Sequence, residues 1–86
     1  MKDMKVDVFE WATLRPVVMA EGVQYDLVIA ATPPGASGMP GRYPTPDAAL
    51  NTFSPPLKEF LKTSIRLRVH RGESVTFNLN EAFEEF

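Results

Sequence analysis

The sequence has no cysteine and only one histidine, His70. Cysteine and histidine supply most ligands of protein zinc sites, and most activated nucleophiles or their general bases. Because neither is present in the number that such sites need, we expect no metal site, no cofactor and no catalytic residue. The carboxylates of Asp7, Glu10, Glu21 and Asp26 remain as candidates for an acid–base pair. They fall in predicted strands and turns that face solvent, so the sequence favours a protein that is not an enzyme.

A long hydrophobic run is also missing. The longest uninterrupted apolar stretch is residues 27–31, far short of the ~20 residues that cross a bilayer, so we expect no membrane contact. Charged residues at Lys2, Asp3, Lys5 and Asp7 stand where a signal peptide would be apolar. Together with the absence of cysteine, this pattern favours a cytoplasmic protein.

Strong charge bias is absent as well. A net charge of −2 and an isoelectric point near 5.3 give no overall attraction to nucleic acid or to an anionic membrane. The chain has 86 residues, of which 44% are hydrophobic, a composition typical of a folded domain. A chain of this length has room for one core, so we predict a single domain spanning residues 1–86.

Residues 5–32 are rich in valine, isoleucine and aromatic residues, which predicts strands. The alternation slips between Val8 and Phe9, which indicates a bulge or a strand buried on both faces. A turn at Gly22 predicts a hairpin. We prefer a three-residue loop there to a two-residue loop because it puts the apolar residues of both strands on one face. Those residues are Val17, Met19, Val23, Tyr25 and Leu27.

The middle of the chain changes character. Segment 33–45 contains four prolines and three glycines, so neither a helix nor a central strand is expected to pass through it. Two interpretations of this long segment stay open, a binding loop and a mobile linker. Residues 45–47 (Thr-Pro-Asp) then have the order of a helix start, and residues 54–55 (Ser-Pro) repeat the cap-plus-proline signal. We therefore predict one or two short helices within residues 46–62, the first ending near Phe53.

Two segments on either side of Gly72 alternate strictly between apolar and other residues, which predicts a hairpin. The apolar positions of its two strands are Ile65, Leu67, Val69, Val75, Phe77 and Leu79. Pairing Val69 with Val75 makes the two apolar faces coincide. A short helix capped by Asn78 or Asn80 is predicted to follow.

The predicted fold is α+β. An antiparallel sheet of about five strands carries the helices of residues 46–62 on one face, and a short helix closes the C-terminus. In that last segment Leu79, Phe83 and Phe86 lie at i, i+4 and i+7, the spacing of a helix face that packs on a core. The alternative is an acidic, aromatic binding tail.

The first candidate site is a row of basic residues on the outward face of the predicted strand 64–71. Residues two apart in a strand share a face, so Arg66, Arg68 and His70 form a row that Arg71 extends. A protein with an acidic surface would fit this row, and a nucleic-acid backbone is the alternative. A solvated strand face without a partner is the structural explanation. No aromatic residue is interleaved for base stacking, which weakens the nucleic-acid interpretation.

A second candidate site lies in segment 33–45. Met39, Arg42 and Tyr43 belong to residue types that are enriched in protein interfaces. The glycine spacing of the segment does not match a phosphate-binding loop, and no Lys-Ser or Lys-Thr pair follows it. The segment therefore favours contact with a protein over contact with a nucleotide.

We thus expect a small non-enzymatic protein-binding module, such as an adaptor, an inhibitor or a subunit of a larger complex. Its composition is similar to that of small acidic bacterial or phage proteins that inhibit host or defence machinery. The alternative is a nucleic-acid-binding protein that uses strand 64–71. A third hypothesis is a homodimer or ring in which Arg66 and Arg68 contact Glu84 and Glu85 of another copy.

Overall fold

The computed structural model describes residues 10–84. The elements in this range, in chain order, are β1 (Trp11–Met19), β2 (Gly22–Ile29), β3 (Gly41–Tyr43), α1 (Pro46–Leu50), α2 (Glu59–His70) and β4 (Val75–Asn78). The strands form one antiparallel sheet in the order β3-β2-β1-β4. The α+β class is confirmed, with four described strands where about five were expected. The slip predicted at Val8 and Phe9 lies outside the described residues.

One face of the sheet carries the hydrophobic core. Leu14, Leu27 and Val75, from three neighbouring strands, are fully buried against Leu50 of α1 and Ile65 of α2. Burying an aliphatic side chain of this size stabilises a fold by about 1.5–3 kcal/mol. Both helices therefore lie on this face, as predicted. No element within residues 10–84 has buried side chains on the opposite face, which we call the outer face.

The β1–β2 hairpin has a two-residue loop at residues 20–21, so the predicted three-residue loop is wrong. The observed register sets Leu14 opposite Leu27 on the core face. It sends Val17 to the outer face, opposite Gln24. This register places Leu14 and Leu27 under the helices. It leaves the apolar residues near the loop partly exposed.

Helix α1 begins as its sequence predicts. The Thr45 hydroxyl accepts a hydrogen bond from the Ala48 amide at 3.1 Å, and proline occupies the first turn, where an N–H has no partner in the helix. The helix ends at Leu50, before the expected position near Phe53. Ser54, predicted to cap the next helix, instead exchanges two backbone hydrogen bonds of 2.9 Å with Ser37.

The main correction concerns α2. Residues 59–70 form one helix, so the predicted helix end at residue 62 and the predicted strand after it are both wrong. Leu61, Ile65 and Val69, at i, i+4 and i+8, face the core. Leu67, which the strand prediction placed inside, is 60% exposed.

The predicted hairpin across Gly72 is wrong for the same reason, and β4 pairs with β1 instead. Val75 lies opposite Leu14, and Phe77 lies opposite Ala12. The inward positions of Val75 and Phe77 are nevertheless confirmed, because both side chains are buried.

Gly72 ends α2 instead of forming a hairpin turn. It has a φ of +90°, and its amide donates to the Val69 carbonyl at 3.0 Å. The next amide, that of Glu73, donates to the Arg68 carbonyl at 3.1 Å. These two bonds with a left-handed glycine form a Schellman motif, which satisfies carbonyls that the helix end leaves free.

Segment 33–45 packs against the core. Gly38 lies so close to Phe53 and Ile29 that a Cβ atom there would fall 2.7–2.9 Å from their side chains. Only glycine therefore fits at this point of the segment without displacing its neighbours. The segment also contributes β3 to the edge of the sheet, a position that its prolines and glycines permit.

Residues 79–84 are not helical, so the predicted C-terminal helix is wrong within the described chain. Leu79 and Phe83 are buried, as the core interpretation requires. An extended segment brings Phe83 alongside Leu57, and the Lys58 amide donates to the Ala82 carbonyl at 2.8 Å. Phe86 lies outside the described residues.

Candidate protein-binding surface

The basic residues predicted to form a row on a strand lie on or just after α2. They are Arg66, Arg68, His70 and Arg71. A helix rotates by about 100° per residue, so side chains two apart no longer share a face. The premise of a linear basic row on a strand is therefore wrong.

Acidic side chains neutralise most of this charge. Arg66 Nε lies 2.8 Å from Asp47 Oδ1 of α1. Arg68 Nε and the Arg71 guanidinium lie 3.0 and 3.2 Å from the two carboxylate oxygens of Glu73. The hydrogen bond from Arg68 holds the pKa of Glu73 below its ordinary value, and the charges of both arginines add to the effect. Two guanidinium groups share one carboxylate, so a single surplus positive charge remains at this end of α2.

No ion pair engages His70 within residues 10–84. Its ring packs edge-on against Tyr25 of β2, with 6.5 Å between the ring centroids. This contact places the exposed ring of His70 beside a core residue of the sheet.

The three candidates from segment 33–45 are divided between the two faces of the sheet. Arg42 binds Asp26 on the outer face through two hydrogen bonds of 2.6 and 3.0 Å. The bond from Arg42 lowers the pKa of Asp26 below its ordinary value. Tyr43 pairs with Tyr25, on the core face, and its hydroxyl donates to the Met39 carbonyl at 2.6 Å. Tyr43 and His70 of α2 are therefore both neighbours of Tyr25 on the core face, whereas Arg42 lies on the opposite face of the sheet.

The sequence analysis missed two exposed apolar residues on one side of α2. Phe60 is 72% exposed and Leu67 is 60% exposed. They stand seven residues apart, two helical turns, with Ser64 between them and Arg71 one turn further on. These four residues share one side of the helix and are called the α2 stripe below. The sequence shows the i, i+4, i+7, i+11 spacing of these residues. It was not recognised as a helix face because a strand was predicted for the second half of the segment.

A pocket of about 440 Å³ adjoins the first turn of α2. Four of its lining side chains are apolar and three are polar, and they come from α2, from β4 and from the chain after β4. The lining residues are Phe60, Leu61, Phe77, Asn78, Asn80, Glu81 and Ala82. Glu81 is the one ionisable residue among them, and no ion pair engages it within residues 10–84.

The outer edge of β4 lies beside this pocket. The Leu79 amide donates to the Glu10 carbonyl at 2.7 Å, which fixes the phase of the β1–β4 ladder. Hydrogen-bonded pairs alternate along an antiparallel ladder, so Ala12–Phe77 and Leu14–Val75 are the bonded pairs. The backbone N–H and C=O groups of Thr76 and Asn78 therefore point away from β1. We call these groups the β4 edge.

The α2 stripe, the pocket and the β4 edge together form the α2–β4 surface. In the described part of the chain, no group of three His, Cys, Asp or Glu side chains could hold a metal ion. The helices between residues 10 and 84 are too short or too polar to cross a bilayer. Comparisons with known protein families, with curated proteins and with solved structures find no match for this chain.

Proposed function

We propose that this chain is a non-enzymatic protein-binding module of the cytoplasm that holds its partner with the α2 stripe of the α2–β4 surface. It acts as an adaptor, an inhibitor or a subunit of a larger complex. The observation that carries the proposal is the exposure of Phe60 and Leu67 on one side of a helix whose opposite side is anchored in the core. Binding surfaces are commonly built this way, with apolar anchors held on a rigid element.

The energetics favour apolar anchors over charge. Burying a Phe or Leu side chain contributes about 1.5–3 kcal/mol, whereas an exposed ion pair contributes about 0–1 kcal/mol. Arg66 already has an intramolecular partner, and Arg68 and Arg71 share one. An acidic partner surface would therefore add little to the contact, and Phe60 and Leu67 supply most of the binding energy.

The ion pairs of the arginine side chains argue against the nucleic-acid alternative. Phosphate contacts need cations that are free to exchange with counterions. Arg66 is bound to Asp47, and Arg42 makes a two-bond contact with Asp26. Neither is available to a phosphate without breaking these contacts.

The chemistry of the pocket favours binding over catalysis. General acid–base catalysis needs a proton donor or acceptor placed against a second polar group that acts on the substrate. The pocket offers Glu81 with two asparagines and four apolar side chains. Such a lining suits the apolar side chain of a partner.

The test uses a double variant, Phe60→Ser with Leu67→Ser. Wild-type protein immobilised at neutral pH captures its partner from a lysate of the source organism, with and without nuclease, and the captured protein is identified and purified. Titration calorimetry then compares wild type with the variant, whose affinity we expect to be at least about tenfold weaker because two central anchors are lost. The matched control is Val18→Ser, which removes a side chain that is 83% exposed on β1.

Two outcomes would overturn the proposal. If the double variant binds as tightly as wild type, the α2 stripe is not the binding site. If nuclease abolishes capture, the ligand is a nucleic acid. Far-ultraviolet circular dichroism of each variant establishes that the fold is unchanged.

A further inference from the structure

We propose that the β4 edge pairs with the β4 edge of a second copy, which joins two sheets into one continuous antiparallel sheet. This inference does not depend on the proposed function, because it uses the backbone of β4 and the ion pairs beside it. The α2 stripe lies on the helix-covered face, outside the backbone contact between the two strands.

The backbone supplies the first argument. The N–H and C=O groups of Thr76 and Asn78 point outward, and no turn or loop hydrogen bond within residues 10–84 engages them. A two-fold axis through Phe77, perpendicular to the sheet, sets Thr76 of one copy opposite Asn78 of the other. Each such pair exchanges two N–H···O bonds, and both residues are present twice because the contact is isologous.

The side chains on this edge permit the contact. Protected edges usually carry charges, prolines or bulges that oppose pairing. Strand β4 reads Val-Thr-Phe-Asn and contains none of these. Pairing two copies sets the uncharged Thr76 against the uncharged Asn78, so no like charges meet within the strands.

The charges at the two ends of β4 identify a second copy as the occupant. The chain before β4 carries the surplus positive charge, because Arg68 and Arg71 share Glu73. The chain after β4 carries Glu81, which has no ion pair among the described residues. Antiparallel pairing brings the start of one β4 beside the end of the other. The end of each copy that carries the surplus cation therefore lies beside the end of the other copy that carries Glu81.

The two-fold axis also determines where the helices lie. Because it is perpendicular to the sheet, both copies present their helices on the same side. Helix α2 lies above β1 and β4, and Phe60 lines the pocket beside β4. The pairing therefore places two antiparallel α2 helices next to each other, with both α2 stripes on one face of the dimer.

The experiment measures the mass of the full chain by sedimentation equilibrium over a wide concentration range. Thr76→Pro removes an outward N–H and keeps the backbone bonds of the β1–β4 ladder, since proline is tolerated where a strand N–H faces solvent. Thr76→Val is the matched control, because it loses the same 2.7 Å hydroxyl bond to Thr13 and keeps the N–H. We expect a concentration-dependent dimer of the 9.6 kDa chain. We expect Thr76→Pro to weaken dimerisation about tenfold or more, because one hydrogen bond is lost at each of two symmetric positions.

Charge reversal tests the orientation of the two strands. Glu81→Arg and Arg68→Glu each weaken self-association because each opposes like charges across the axis. An equimolar mixture of the two variants restores pairing as a heterodimer, since each contact then joins opposite charges. If the two variants lost self-association only because their folds were destabilised, mixing them would not restore it.

A wild-type chain that stays monomeric at every concentration, or a dimer that Thr76→Pro leaves unchanged, would overturn the inference. Either result leaves the proposed function intact if the Phe60→Ser, Leu67→Ser variant still loses its partner. Conversely, a confirmed dimer whose double variant keeps its partner would refute only the proposed function.

Discussion

Two segments with the same alternating pattern adopt different structures in this protein. Ile65, Leu67 and Val69 lie in α2, and Val75, Phe77 and Leu79 lie in or next to β4. In the second segment the alternation describes the structure, because Val75, Phe77 and Leu79 are all buried. In α2 it does not, because Leu67 is exposed between two buried neighbours.

The difference lies in what precedes each segment. Leu61 stands four residues before Ile65, and Val69 stands four residues after it, so the helical pattern continues without a break. No proline or glycine interrupts residues 57–71. Segment 75–79 follows Gly72 and has no comparable apolar residue at helical spacing before it. Three alternating residues therefore do not define a strand when a longer helical pattern passes through them.

The largest expected effect is the difference in stability loss when Phe77 and Leu67 are each truncated to alanine. Phe77→Ala should destabilise the protein by about 3–5 kcal/mol, because it leaves a cavity in the core. Leu67→Ala should change stability by about 0.5 kcal/mol or less, because the side chain is exposed on a helix, where alanine is favourable. Urea denaturation followed by circular dichroism measures both.

The strand prediction implies a different loss of stability for the Leu67→Ala variant. Were Leu67 an inward residue of a hairpin, its truncation would cost about 2–5 kcal/mol. Comparable losses in the two variants would therefore contradict the helix at residues 59–70. Phe60→Ala is a second exposed-site control on the same helix.

A smaller effect is expected at Gly72, where the two segments are joined. Its φ of +90° is strained for residues with a Cβ, although open space surrounds the position. Gly72→Ala should therefore destabilise the protein by about 1–2 kcal/mol through backbone strain alone. Gly72→Asn should lose less, because asparagine adopts the left-handed region more readily. If alanine had no effect, the Schellman motif would not be the end of α2.

The sequence predicted well wherever local chemistry decides the structure. Thr45 and Pro46 defined the start of α1, and the inward residues of β4 were identified by their alternation. The partner of β4 was not predictable in this way, since its pairing with β1 joins residues more than 60 positions apart. The sequence analysis instead paired β4 with the segment just before it, and that assumption produced the incorrect hairpin across Gly72.

The candidate site depended on the same error. Arg66 and Arg68 formed a row only if their segment was a strand, and their carboxylate partners come from other elements or from beyond the helix end. The exposure of Phe60 and Leu67 is a tertiary property, because it depends on which side of α2 packs on the sheet. The helical spacing of these two residues could have indicated the stripe once residues 59–70 were recognised as one helix.

The smallest expected effect concerns the ion pair that accompanies the end of α2. In many Schellman motifs an apolar contact joins the residues at C3 and C″. Here those residues are Arg68 and Glu73, and a charge-assisted hydrogen bond of 3.0 Å takes its place. The pKa of Glu73 is lower in the folded chain than its ordinary value of 4.5. Its contribution to stability is therefore complete above the pKa of the unfolded chain, and it is lost as the pH falls through the lower folded value.

We accordingly expect the melting temperature of the wild-type protein to fall more steeply below pH 4.5 than that of Glu73→Gln, which lacks the titrating group. Near neutral pH the variant should melt slightly below wild type, because the exposed pair contributes little. Glu84→Gln is the matched control, since no ion pair engages Glu84 within residues 10–84. Parallel acid transitions for wild type and Glu73→Gln would mean that the backbone bonds of the Schellman motif and Gly72 stabilise the end of α2 without help from the ion pair.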